Sequence, residues 1–331
     1  MLFSFISTVY NHESYIISHL ESIRFQIVNF GAGYDFELVL CDDCSTDKTL
    51  DFANEWLDNN KHLFKVVKIL TSETNEGIVE NYLKGLNSFD GDFFHSLGGD
   101  DLYSCHSLLD CVELLNEFDI VQGAVLDFEQ EKITTNLASA TFVNFQSMKF
   151  NEIRHYARRG KFIFSAPGLL YKKQLITKKL LSFLSEFKML EDSPLYYFLL
   201  KNENLKIYHY QIPIVLYRMS PSSISRNKNH PGCTDLKNDN VKFLSTLLGE
   251  ANSSFRRTYI RNCILWAQSS KLRFLYRFNP ISLVDRGKRS VRNVKCRKIL
   301  KSYKENLTHS IRKNEMHILR CSDKSTLGQH R

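Results

Sequence analysis

The chain has 331 residues, 43% hydrophobic and 24% charged, with a formal net charge of +8. That length and apolar content leave room for a full core and exclude a disordered, fibrous or linker-rich protein. With no run of about 18 uninterrupted apolar residues, nothing in the sequence reads as a membrane span. The charge is uneven: residues 251–331 hold 20 Lys/Arg against 4 Asp/Glu, about +16, which leaves about −8 on residues 1–250. The eight cysteines have no framework spacing and no signal peptide precedes the first strand, so they read as reduced thiols of a cytosolic protein. Cys41-x-x-Cys44 lacks a second pair at metal-ligand spacing and reads as two semi-buried thiols.

Leu2 to Ser7 is nearly continuous in apolar character, as a buried parallel strand should be, and runs into the polar loop Thr8 to Glu13. Ile16, Leu20, Ile23 and Ile27 then recur at helical spacing. The pattern repeats. Phe36 to Cys41 is a strand, Asp42 to Asp47 its acidic terminal loop, and a helix follows with Ser45 or Thr46 placed to cap it and Phe52, Ala53, Trp56 and Leu57 facing inward. Phe64 to Leu70 is a third strand, followed by Asn75-Glu76-Gly77 and a helix through Ile78, Tyr82, Leu83 and Leu86. A fourth strand, from Phe93, stops on Gly98-Gly99-Asp100-Asp101. Strands alternating with helices predict an α/β fold with a mostly parallel central sheet and helices on both faces, whose carboxyl ends gather along one edge where ligands bind. Adjacent carboxylates there repel unless a cation or protons intervene, which suits a divalent ion; the other reading is a solvated acidic turn. A Gly-x-Gly-x-x-Gly turn after the first strand is missing, which speaks against a nicotinamide dehydrogenase.

Taken in order, Thr8-Val9-Tyr10-Asn11-His12-Glu13, Glu21-Ser22-Ile23 with Gln26, Asp42-Asp43-x-Ser45-Thr46-Asp47, Asn75-x-Gly77 and Gly99-Asp100-Asp101 resemble the family 2 glycosyltransferases with the GT-A fold, over about residues 1–220. The resemblance implies an inverting transferase that uses a nucleotide-activated sugar, commonly UDP-linked, and a divalent metal, Mn²⁺ or Mg²⁺. It places Thr8, Tyr10, Asn11, Glu13, Asp43, Asn75, Gly77 and Asp100 at the nucleotide and Asp101 on the metal. Cys44 departs from the family pattern, where a small residue such as Gly is usual. Elementary chemistry agrees: a carboxylate such as Asp43 can accept the uracil N–H, Tyr10 can stack on the ring, and a metal on Asp101 neutralises the charge of the departing nucleotide.

Residues 119–128 form another expected strand, and 162–171, broken by Ala-Pro-Gly, a strand or loop floor below the acceptor. Glu191-Asp192 precedes Ser193-Pro194 and an apolar helix. On residue types alone this pair is either a helix cap or a general base within reach of a hydroxyl. The resemblance matches Asp192 to the base, with Glu191 positioning the acceptor. Leu205 to His209 and Ile212 to Tyr217 read as two late strands, and the following Tyr217-Arg218 to Ser225 resembles the close of bacterial surface-polysaccharide members of the family. Arg218 is either a diphosphate contact or a structural partner of an acid at the sheet edge.

Residues 1–225 are therefore expected to form the catalytic domain, 1–103 as its nucleotide-binding half and 104–225 as its acceptor half, with 226–331 a basic, mainly helical region. In that region Tyr259, Ile260, Trp266, Leu272 and Leu275 interleave with Arg and Lys at helical spacing, which suits either an anionic membrane surface or docking on the catalytic domain. No nucleic-acid motif accompanies the charge, so no nucleic acid is expected as a partner. The expected activity is transfer of one sugar from a nucleotide-diphosphate donor to a hydroxyl of a glycan or lipid-diphosphate-linked saccharide, in O-antigen or capsule assembly at the cytoplasmic face of the inner membrane. The rivals are a non-catalytic nucleotide-sugar or membrane-surface binding protein on the same fold, and a nucleotidyltransferase, disfavoured because no Gly-rich, Arg/Lys-bearing triphosphate loop follows the first strand.

Overall fold

The four apolar runs at the start of the chain become parallel strands β1 (Leu2–Val9), β2 (Asp35–Asp42), β3 (Val66–Thr71) and β4 (Phe93–Gly98), in the order β3-β2-β1-β4. The computed structural model describes residues 1–129, 132–134, 150–160, 164–219 and 232–268, with the isolated positions 283, 287 and 294. Among them the sheet continues through β8 (Leu169–Lys172), β6 (Ile120–Glu129), β9 (Ile207–Arg218) and the two-residue β5 (Leu102–Tyr103), and β7 (Lys132–Thr134) pairs with β6. β8 runs antiparallel to both of its neighbours, so β6 and β9 point the same way as the first four strands.

The alternation of side chains sends the two faces of the sheet to different helices. Phe3, Phe5, Phe36, Leu38 and Leu40 meet α1 (Ile16–Phe30) and α2 (Thr49–Asn60), while Ile6, Val39 and Cys41 meet α3 (Ile78–Ser88). Each such apolar side chain contributes roughly 1.5–3 kcal/mol on burial. Beyond α4 (Leu109–Leu114) and α5 (Phe150–Ala157), the α3 face is extended by α6 (Lys178–Leu184), α7 (Asp192–Leu199), α8 (Cys233–Gly249) and α9 (Ser254–Gln268). Phe243, Leu244, Leu247, Tyr259 and Ile260 of α8 and α9 join the same core as Ile6 and Val39.

Two local expectations change. α2 begins at Thr49, not beside Ser45 or Thr46: Asp47 Oδ1 accepts the Thr49 N–H (3.0 Å), while Ser45 Oγ accepts the Asn11 N–H (2.9 Å) and so serves the neighbouring loop. The two late strands are one. β9 pairs with β6 from Ile207 to Arg218, with Tyr210 opposite Gly123, Pro213 opposite Ala124 and Val215 opposite Val125, so the chain bulges at Gln211 and Ile212 and again at Ile214, on either side of Pro213, which has no N–H to give the ladder. In the basic region α9 buries Tyr259 and Ile260 and leaves Phe255, Leu265 and Trp266 exposed. Leu272 and Leu275 lie outside the described residues. No helix among the described residues is long and apolar enough to cross a membrane.

Candidate active site

A cleft of about 770 Å³ opens at the carboxyl edge of β1, β2 and β4, and Thr8, Tyr10, Asn11, Asp43, Asn75, Gly77, Asp100, Asp101, Glu191 and Asp192 all lie on its wall. Thr8 stands opposite Cys41 on one side and Gly98 on the other, so the register of β1 sets the floor. Of the residues expected there, Glu13 and Arg218 lie off the wall. Glu13 accepts the Lys48 N–H (3.2 Å) and donates its own N–H to Asp47 (3.0 Å), which ties the first loop to the start of α2.

The acidic turn is built from both sides. Gly99 donates to Thr8 O (2.9 Å) and Asp101 N to Gly98 O (3.0 Å), and a Cβ on Gly99 would stand 2.4 Å from Val9 Cγ1, so only glycine lets the turn close. Asp101 is 3% exposed, and its Oδ1 accepts the Arg218 N–H at 2.7 Å. The Arg218 guanidinium lies between the rings of Tyr15 and Phe128, 4.6 and 4.4 Å from their centroids, and Nε donates to Asp100 O (2.6 Å). Arg218 therefore grips the turn from behind. Burial, then the charge of Asp100, pushes the Asp101 carboxyl well above the usual carboxylate range, against the pull of Arg218.

His19 of α1, absent from the residues expected at the site, holds the same turn. Its Nδ1 donates to Asp101 O (2.8 Å), which leaves Nε2 to accept the Ser7 hydroxyl (2.7 Å). Ser22 Oγ accepts the Tyr103 N–H, and Gln26 Nε2 donates to Ser104 O and His106 O, so Ser22 and Gln26 of the second motif are a brace for the chain leaving the turn. His95 on β4 is buried likewise: Nε2 donates to Pro167 O and Nδ1 accepts from Tyr103 (both 2.8 Å). Burial holds both imidazoles down to about 4. Since an unfolded histidine protonates near about 6.5, the unfolded chain takes up two protons that the fold refuses between those values, and stability falls as pH drops through this window, by up to about 3 kcal/mol per ring. The raised carboxyls of Asp101 and Glu191 act in the opposite sense, so the histidine contribution is read as a difference: between pH 7 and 4.5 the wild type is expected to lose more melting temperature than His95→Gln, and parallel profiles would contradict it.

Asp43 accepts the Glu76 N–H (2.7 Å) and the Gly77 N–H (2.9 Å), which brings Asn75 and Gly77 to the cleft, and Gly77 at φ 96° takes a conformation that favours glycine. Cys44 sits at φ 63°, which explains why a glycine suits this position in the resembling family. His12 lines the cleft beside Gly99, and its buried Nδ1 has no hydrogen-bond partner among the described residues.

Across the cleft, Glu191 and Asp192 start α7 among Tyr82, Tyr171 and Tyr196. No side chain caps this helix; Asp192 Oδ1 accepts the adjacent Ser193 N–H, so capping does not account for the pair. Burial, then the charge of Asp192, raises the Glu191 carboxyl to about 8, and burial raises Asp192 too. The stretch before the pair hangs on Asp239 of α8, whose buried Oδ2 accepts the N–H groups of Lys188 (2.8 Å), Met189 (2.6 Å) and Leu190 (3.2 Å). A single acid in a polar stretch offers no sequence signal for that role.

The sequence model described as "Glycosyl transferase family 2" matches residues 4–178. The chain belongs to glycosyl transferase family 2. Among relatives of this family 2 chain, the poly(ribitol-phosphate) beta-N-acetylglucosaminyltransferase TarS of Staphylococcus aureus is 33% identical over 117 residues, 35% of this chain and 19% of TarS. The putative glycosyltransferase EpsE of Bacillus subtilis is 29% identical over 38% of this chain and 44% of its own length. The PGL/p-HBAD biosynthesis glycosyltransferase of Mycobacterium bovis is 32% identical over 38% and 47%. The family 2 chain thus spans less than half the length of these relatives. The crystal structure of S. aureus TarS 1–349 in complex with UDP-GlcNAc superposes with a TM-score of 0.56 at 18% identity, over 89% of this chain and 79% of that one. The likeness bears out the expected GT-A fold.

Proposed function

We propose that this chain is an inverting glycosyltransferase that moves a sugar from a UDP-linked donor to a hydroxyl of a glycan or lipid-linked saccharide in surface-polysaccharide biosynthesis. The observation that carries this reading is the placement of the acidic turn Asp100-Asp101 and the carboxyl pair Glu191-Asp192 on one cleft at the carboxyl edge of the sheet. Thr8, Tyr10, Asn11, Asp43, Asn75 and Gly77 form the nucleotide end; the UDP and UDP-GlcNAc complexes of TarS support a UDP-sugar there.

A divalent ion, Mn²⁺ or Mg²⁺, fits the turn. Among the described residues no group of three His, Cys, Asp or Glu side chains could cage an ion. Adjacent carboxylates of which one is charged only at a cost are, however, the donor set of an ion that takes its other oxygens from substrate phosphates. Asp101 would hold it, with Asp100 beside it, and when bound it would supply charge neutralisation at the departing diphosphate. Arg218 serves by fixing the turn rather than by touching the diphosphate. Asp192 takes the acceptor's hydroxyl proton, and Glu191, protonated at neutral pH, donates to an acceptor oxygen. Exposed Phe255, Leu265 and Trp266 on the cationic helix α9 support a peripheral place at an anionic membrane surface. Calorimetric titration of UDP with and without Mn²⁺ tests the donor side: metal-dependent binding is expected, and no binding in either condition would remove UDP as the nucleotide.

A further inference from the structure

A second cavity, of about 290 Å³, lies between α5, the end of α7 and the turn from α8 to α9, and shares no residue with the cleft. Its lining includes Arg154, Arg158, Lys201 and Arg256 against one carboxylate, Glu250. That carboxylate is already engaged, by the Tyr197 hydroxyl and by Lys201 Nζ at 2.7 Å. Arg154 reaches a second carboxylate, Glu203, outside the lining, so four cations face two carboxylates.

Two of them are pinned. Arg154 is 8% exposed; its Nε donates to Leu200 O (3.0 Å) and its Nη1 to Glu203 (3.4 Å). Arg256 donates from Nε to Arg158 O (2.9 Å) and from Nη1 to Glu250 O (3.3 Å). In each the remaining nitrogen, Nη2, is buried with no hydrogen-bond partner among the described residues. A buried charged donor left unmade is costly, and native proteins rarely keep two on one cavity without a ligand, ion or water. Guanidinium groups fixed by main-chain carbonyls, each with the two N–H of Nη2 unused, match the spread oxygens of a phosphate better than they match a single carboxylate.

We propose that this cavity is an oxyanion site that takes the phosphate of a monoester or diester, held by Arg154 and Arg256 with the exposed Arg158 at its mouth. Its lining residues Tyr197, Leu200 and Lys201 follow Asp192 by five to nine residues, about 8–14 Å along α7 and the turn after it, and the cavity shares no residue with the cleft, so it serves a group other than the donor's diphosphate. The phosphate comes either from a soluble compound or from a lipid headgroup, since the exposed Phe255 adjoins Arg256 on α9.

The test is thermal unfolding of the full chain against inorganic phosphate, without divalent metal and at constant ionic strength set with chloride. Wild type is expected to gain stability with phosphate as a one-site ligand does, and Arg158→Gln/Arg256→Gln to weaken the apparent affinity about tenfold or more. Arg158→Gln alone, at an exposed side chain, guards against a folding defect and should weaken it less. No phosphate-specific gain in wild type, or an equal gain in the double variant, overturns the proposal. Flotation with vesicles of phosphatidylcholine containing 30% phosphatidylglycerol separates the sources: capture that phosphate competes away and the double variant loses assigns a headgroup, whereas phosphate stabilisation without capture assigns a soluble phosphate. Capture with no phosphate effect on unfolding also overturns it.

Discussion

Sugar transfer by Asp192→Asn is expected to fall about 10²- to 10⁴-fold, the range a positioned general base supplies, while UDP binding stays at the wild-type level. The substitution keeps the size of the side chain and an oxygen for the Ser193 N–H, so the start of α7 should hold. What goes is the one group at this end of the cleft that is ionised when Glu191, raised to about 8, still carries its proton. The wild-type rate should climb with pH as Asp192 ionises. In Asp192→Asn that limb should vanish, because Glu191, relieved of its neighbour's charge, becomes the only carboxyl titrating there. Steady-state rates beside UDP calorimetry check both halves; transfer at the wild-type rate would remove Asp192 as the base.

Asp101→Asn should weaken metal-dependent UDP binding on the order of 10²-fold or more, at the upper end of or beyond what altering a metal's surroundings costs. Asparagine still offers an oxygen to the Arg218 N–H and so spares the turn the penalty of about 1–3 kcal/mol for a buried donor left alone. Asp101→Ala incurs that penalty as well, and should therefore also lower the melting temperature. Calorimetry with and without Mn²⁺, run beside thermal melts of both variants, separates lost ion binding from lost structure. Equal UDP affinity in Asp101→Asn and wild type would take the metal away from this residue.

The parallel half of the sheet was legible because β1 and β2 are buried on both faces and read as unbroken apolar runs, each followed by a helix of clear period. The acidic turn and the carboxyl pair were legible as motifs whose order along the chain is specific. The bulge that merges two strands into β9, and the antiparallel β8 between β4 and β6, were not, since long-range pairing decides both. His19 and Asp239 were also hidden. One interrupts an apolar helix face and the other stands in a polar stretch, and their partners, Asp101 O and the main chain of 188–190, lie 82 and about 50 residues away.

The grip of Arg218 on the acidic turn bears on how chains of this family can be recombined. Residue 218 closes β9, 117 positions after the aspartate whose carboxylate it holds, and one of its two flanking rings, Phe128, also belongs to the later part of the chain. A chimaera joined just after Tyr103 would take Asp101 from one parent and the Arg218 that holds its carboxylate from the other. Recombination between such chains has to carry Tyr15, Phe128 and Arg218 as one inherited unit, or be confined to loops that leave all three in place.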